Sequence, residues 1–343
     1  MRDILVTPDN AGQYEMFNLA HIERMAALRK PRRGHKTPCK TPCKTAARPL
    51  VASVDGRDGL HQTAAGRAGD EGFMTQPSVD QAEPAFIEVG EGDGRRRIAV
   101  RARDGGGPDS GLDSGPGLFW LGGFNSDMKG TKALALDEWA AAHGRACVRF
   151  DYSGHGESGG TFAEGTVGRW LEESVAVFGR FCRGPQIVIG SSMGGWMALL
   201  LARELARRAA SPTPLAGLVL IAPAPDFTEE LMWKGFSLEI RQEIETRGMW
   251  LRPSAYGDPY PITRALIEEG RNHLLLGSAI EVGCPVRILQ GAQDADVPWR
   301  HAFALAHRLP ADDVVLTMIQ DGDHRLSRPQ DIARIIAAVA EMG

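Results

Sequence analysis

The stretch Gln186-Ile187-Val188-Ile189-Gly190-Ser191-Ser192-Met193-Gly194-Gly195-Trp196 decides how the rest of the chain is read. Residues 186–189 are a short run of strand character, and from Trp196 onward apolar residues recur with helical period. Between them lies the turn Gly190-x-Ser192-x-Gly194. So tight a turn forces its central residue into a strained backbone conformation, and the two glycines leave room because they carry no side chain. The turn lifts the Ser192 hydroxyl above the end of the strand. It also aims the Met193 N–H, at a helix N-terminus, toward negative charge developing beside Ser192. Strand, Gly-x-Ser-x-Gly and helix in this order are the setting of a nucleophile elbow.

Outward from this turn the punctuation is regular. Residues 85–89 and 97–101 read as a hairpin around 90–94, and short apolar runs follow at 118–121, 146–150, 217–221, 286–289 and 314–318. Stretches of helical period lie at 132–142, 169–181, 196–208, 300–308 and 331–342. Non-alternating strands separated by helices predict an α/β fold, a mostly parallel sheet with helices on both faces. Residues 224–284 break the pattern: they show no strand signal and carry Phe227, Met232, Trp233, Phe236, Met249 and Trp250. An insertion of that length reads as a small helical lid over a site.

Composition narrows the class. The chain has 343 residues, 43% hydrophobic and 24% charged, as a globular protein does. No run approaches the ~18 uninterrupted apolar residues of a membrane helix, which excludes an integral span. A net charge of −4 gives no global reason to expect nucleic acid as a partner. Five irregularly spaced cysteines make no disulfide framework, so a reducing, cytoplasmic setting is expected. Residues 1–73 hold 12 Lys/Arg against 8 Asp/Glu, a tandem Lys-Thr-Pro-Cys repeat at 36–43 and no sustained apolar period. They are expected to be a disordered or non-native extension to a domain spanning 74–343. His35, Cys39 and Cys43 lack a second pair of ligands, so no metal is expected there.

A serine hydroxyl needs a base, and elbow enzymes place their partners in the order Ser, acid, His. Asp294, in the turn after 286–289, is the preferred acid; Asp296 competes but reads as a cap for the following helix, and Asp226 is a third candidate. Of the later histidines, His301 and His307 fall in a helical stretch and read as surface residues. His324 follows the last strand and is the expected base. Gly122-Gly123-Phe124-Asn125 follows the 118–121 strand, so the Phe124 N–H is expected to join Met193 in an oxyanion hole. Phe124, Trp233 and Phe236 are expected to line the substrate site. Asp151-Tyr152-Ser153-Gly154-His155-Gly156-Glu157-Ser158 precedes Ser192 and reads as a Gly-rich turn whose Asp and Ser side chains bond its own backbone. Cys147, Cys182 and Cys284 read as small core residues. Neither a phosphate cradle nor a dinucleotide fingerprint appears, and no cofactor or metal is expected.

Together these residues resemble the α/β-hydrolase superfamily from about Ala85 to the C-terminus. The stretches Lys129-Gly130-Thr131-Lys132-Ala133-Leu134-Ala135, Arg149-Phe150-Asp151-Tyr152-Ser153-Gly154, Gly190–Trp196 and Val297-Pro298-Trp299 resemble those of mitochondrial palmitoyl-protein thioesterases that also act as mycophenolic acid acyl-glucuronide esterases. The resemblance implies a Ser192-Asp294-His324 triad and hydrolysis of S-palmitoyl proteins and acyl glucuronides, a small-molecule or protein-linked acyl substrate. No matching transit peptide is seen, and 32 Arg against 7 Lys suggest a GC-rich bacterial coding sequence. A general carboxylesterase or serine peptidase is the alternative within enzymes, and a non-catalytic ligand-binding protein the alternative outside them.

Overall fold

The computed structural model describes residues 83–106, 115–208, 213–254, 258–310 and 313–343. The expected extension at 1–73, with His35, Cys39 and Cys43, lies outside the described residues.

The expected hairpin forms from β1 (Ala85–Val89) and β2 (Arg96–Arg103). The later strands are β3 (Gly117–Leu121), β4 (Cys147–Phe150), β5 (Gln186–Ser191), β6 (Leu215–Ile221), β9 (Val286–Gly291) and β10 (Val314–Ile319). They make one eight-stranded sheet in the order β1-β2-β4-β3-β5-β6-β9-β10. Only β2 points opposite to the other seven strands; every pairing from β4 to β10 is parallel. This is the mostly parallel sheet that the sequence predicts.

The uninterrupted apolar runs follow from burial on both faces. Along β3, Phe119 and Leu121 enter one core cluster while Leu118 and Trp120 enter the other. The first face is covered by α2 (Val167–Phe181), α3 (Met193–Arg207) and α6 (Trp299–Arg308), through residues such as Trp170, Phe178, Trp196 and Leu305. The second is covered by α1 (Thr131–Ala142) and α7 (Pro329–Ala340), through Ala133, Leu136, Ile335 and Val339. Ile187, Val188 and Ile189 of β5 are fully buried, each stabilising the fold by about 1.5–3 kcal/mol. The elbow therefore starts from a strand buried along its whole length.

The insertion between β6 and β9, expected as a small helical lid with no strand, holds strands as well as helices. It holds a π-turn (Thr228–Met232), α4 (Leu238–Arg247), α5 (Arg264–Gly270) and also an antiparallel hairpin of β7 (Met249–Arg252) and β8 (Tyr260–Thr263). Four residues of alternation are too few to separate strand from helix by period alone, and Pro261 argues against a strand. A two-stranded ribbon has only edges, so the missing N–H of Pro261 is tolerated. Asp226 ties the insertion back: its buried carboxylate accepts the Leu275 and Leu276 N–H groups, each at 2.8 Å. No described helix is long and apolar enough to cross a membrane.

Candidate active site

Ser192 sits at φ 55° and ψ −116°, a left-handed conformation that its neighbours impose. Its N–H donates to Ile221 O at 2.9 Å, and its carbonyl accepts from Gly195 and Ala224 N–H at 2.9 and 3.1 Å. A side chain on Gly190 would run into the Gly194 carbonyl, and one on Gly194 into the Leu121 and Gly122 carbonyls. Both glycines are thus needed for close backbone approach. The sheet register pairs Leu121 with Gly190, so the chain leaving β3 and the chain leaving β5 emerge side by side. A Cβ built on Gly123 would lie 3.5 Å from the Ser192 Cβ. The Phe124 segment and the helix N-terminus at Met193 therefore flank the same serine.

Two loops at the ends of β9 and β10 bring the partners. Gly291 abuts the Gly322 and Asp323 carbonyls, and Gln293 N–H donates to Gly322 O at 2.9 Å. This close approach carries His324 over Asp294. His324 Nε2 lies 3.0 Å from Ser192 Oγ, and Nδ1 lies 2.8 Å from Asp294 Oδ2. A carboxylate accepts only, so the imidazole carries its proton on Nδ1 and presents the bare Nε2 to the hydroxyl. Asp294 is held by four donors: Oδ1 accepts the Asp296 and Val297 N–H groups at 2.9 and 2.7 Å, and Oδ2 accepts Gln290 Nε2 at 3.1 Å besides His324. The Asp294 side chain is fully enclosed. Lys132 of α1 donates to the Arg325 carbonyl and, at 3.4 Å, to Ser327 Oγ, pinning the loop just beyond the histidine.

The rival residues have other work. Asp296 is exposed and meets Asp294 through its backbone; the expected cap does not form, because α6 begins after Pro298 with no side-chain cap. Asp294, Asp296 and His324 are close enough to suggest a metal cluster, but the Asp294 oxygens are already engaged by donors. Asp226 serves the insertion. His307 is exposed as expected, whereas His301 turns inward, its Nε2 2.7 Å from Pro225 O, and burial lowers its pKa. Cys147, Cys182 and Cys284 are buried free thiols; burial pushes Cys147 up to about 12 and Cys284 up to about 11. They are poor nucleophiles for that reason.

Four aromatic rings gather around Phe124. The Phe124 ring packs against Phe162 at 4.9 Å, Phe227 at 5.5 Å, Tyr260 at 5.8 Å and Trp170 at 6.0 Å. Trp233 and Phe236 do not join this cluster. Trp233 lies against the guanidinium groups of Arg241 and Arg271, and Phe236 against Trp250. Phe227 is a lid aromatic already visible in the sequence, but Phe162 and Tyr260 gave no local sign of converging on Phe124. In the 151–158 turn, Asp151 accepts the Met128 and Glu157 N–H groups and Ser158 Oγ donates to Asp151 O, as the turn reading expected.

The human mitochondrial palmitoyl-protein thioesterase ABHD10 is 36% identical over 229 residues, which cover 66% of this chain and 72% of that protein. The chain belongs to the ABHD10 family of α/β-hydrolases. Residues 118–268 match the broader Hydrolase_4 family, described as serine aminopeptidase, S33. The crystal structure of a putative hydrolase from Agrobacterium vitis S4 is 50% identical, with a TM-score of 0.72, over 76% of this chain and 98% of that one. The mouse ABHD10 structure is 32% identical, with a TM-score of 0.63, over 75% and 98% of the two chains. Membership in the ABHD10 family makes the protein an enzyme, a hydrolase of carboxylic esters or thioesters.

Proposed function

We propose that the protein is a serine hydrolase that cleaves long-chain acyl thioesters of proteins and acyl glucuronides through a covalent acyl-enzyme. The observation that carries this reading is the continuous chain from Ser192 Oγ through His324 to Asp294, at 3.0 and 2.8 Å. Ser192 Oγ attacks the acyl carbon while His324 Nε2 takes its proton. Asp294 keeps the imidazole oriented and stabilises its cation, and the Met193 and Phe124 N–H groups receive the oxyanion. His324 then returns the proton to the departing thiolate or sugar oxygen. Water deprotonated by His324 attacks the acyl-Ser192 ester, releasing the acid and restoring the hydroxyl. The name of the human relative, a palmitoyl-protein thioesterase, supports the acyl-thioester half of the reading.

The test is initial rate on matched oxygen-ester and thioester substrates over a range of acyl lengths, with Ser192→Ala as blank. Turnover of long-chain thioesters that disappears in the blank is expected. Equal activity in Ser192→Ala would overturn the mechanism, and activity confined to short oxygen esters would overturn the substrate class.

A further inference from the structure

His155 takes no part in the proton relay, yet both of its nitrogens are engaged. The side chain is 5% exposed and enclosed by the rings of Phe162 at 5.0 Å, Trp170 at 5.5 Å and Tyr152 at 5.8 Å. Its Nδ1 lies 3.1 Å from Ser153 O, and its Nε2 lies 3.2 Å from the Asn125 backbone nitrogen. The roles are forced: a carbonyl only accepts and a backbone N–H only donates, so Nδ1 carries the proton and Nε2 is the bare acceptor. The imidazole is therefore neutral, and burial, which disfavours the cation, lowers its pKa and keeps it so.

The group it holds is placed one residue from the reaction centre. Asn125 stands at φ 56°, a left-handed turn that an unsupported asparagine adopts only at some cost. Its N–H belongs to the peptide joining it to Phe124. The Phe124 ring packs on Phe162 and Trp170, two of the three rings that enclose His155. One imidazole and two aromatic rings thus fix residue 124 from both its backbone and its side chain. The Asp151 carboxylate steadies the other end of the 151–158 turn by accepting Glu157 N–H at 2.8 Å, so the imidazole itself sits on an anchored loop.

We propose that His155 is a positioning residue for the oxyanion site: by accepting the Asn125 N–H at a neutral Nε2, it orients the adjoining Phe124 N–H toward the substrate carbonyl oxygen at Ser192. This rests on the role given to Phe124 in the proposed mechanism. No bond is made or broken at the ring, whose effect on the rate passes entirely through the 124–125 peptide.

The experiment compares His155→Phe, which fills the space and deletes the acceptor, with His155→Gln, whose amide oxygen can accept at the same place. kcat and KM are measured for a hydrolysed acyl ester, with thermal midpoints recorded for each variant. The expected result is a kcat lowered about 10- to 100-fold in His155→Phe, below the loss for deleting an oxyanion donor outright, with KM within about threefold of wild type. His155→Gln should recover most of kcat whatever its midpoint. Should the Phe variant not fold, His155→Leu takes its place with the same expectation. Wild-type kcat in a folded variant without the acceptor, or equal losses in both variants, overturns the proposal. Ser192→Ala, run alongside, separates the two levels of the argument. If it stays active the serine mechanism itself fails, whereas a dead Ser192→Ala beside a normal His155→Phe removes only the positioning role.

Discussion

Ser192 holds its strained backbone because three hydrogen bonds, one from Gly195 in the turn and two with Ile221 and Ala224 at the end of the neighbouring strand, fix it, and Gly190 and Gly194 offer no side chain to clash. Strain of this kind is maintained only where the surrounding structure over-determines it. Replacing Ser192 or His324 with Ala should lower kcat by about 10⁴–10⁶, read as single-turnover and steady-state kinetics against a folded variant. Asp294 and Asp296 separate by burial and partner. Asp294→Asn should cost about 10⁴ in kcat, because an amide no longer holds the required tautomer of His324. Asp296→Asn should leave kcat within a fewfold of wild type. A reversal of that order would reassign the acid.

At the scale of elements, the site depends on how α1 and the insertion are tied to the sheet. Arg149 of β4 is fully buried and meets Asp137 of α1 at 3.2 Å and the Met128 carbonyl at 2.8 Å. Removing one partner of such a pair strands a charge in the interior, so Asp137→Ala should destabilise the domain by about 3–5 kcal/mol in urea unfolding. Removal of Asp226 acts differently. Its carboxylate joins the two ends of the insertion through the Leu275 and Leu276 N–H groups. Asp226→Ala should leave the global unfolding midpoint less affected than Asp137→Ala does, while protease cleavage within 228–273 becomes faster. The β7–β8 hairpin inside that segment was not legible in the sequence, because its four-residue strands make cross-strand contacts that no local period announces.

For the whole molecule, buried titratable groups set how stability varies with pH. Burial depresses the pKa of His155 and His301, so on acidification below about 6.5 the unfolded chain protonates them before the folded one does. Their contribution to stability is complete above that pH and is lost as pH falls toward the depressed values. Asp151, Glu173 and Asp226 are raised by burial and act with the opposite sign, taking up protons first in the folded state. The histidine part is isolated by difference: the fall in melting temperature between pH 7.5 and 5.5 should be smaller in His301→Gln than in wild type. An unchanged fall would mean that His301 does not contribute.

The sequence by itself determined what depends on residues close in the chain. Gly190, Ser192 and Gly194 dictate an elbow within five positions, and apolar runs without alternation dictate strands covered on both faces. The position of His324 after the last strand put it at the same sheet edge as Ser192. Only the tertiary structure decided matters that hinge on residues far apart: that Asp294 rather than Asp296 meets His324, that Phe124 packs with Phe162 and Tyr260 rather than Trp233 and Phe236, and that His155 reaches back to Asn125. Periodicity and turn chemistry report a backbone's local preference. Which of two neighbouring carboxylates, or which of several rings, points into a site follows from sheet register and loop direction, and these are set only when the whole core packs.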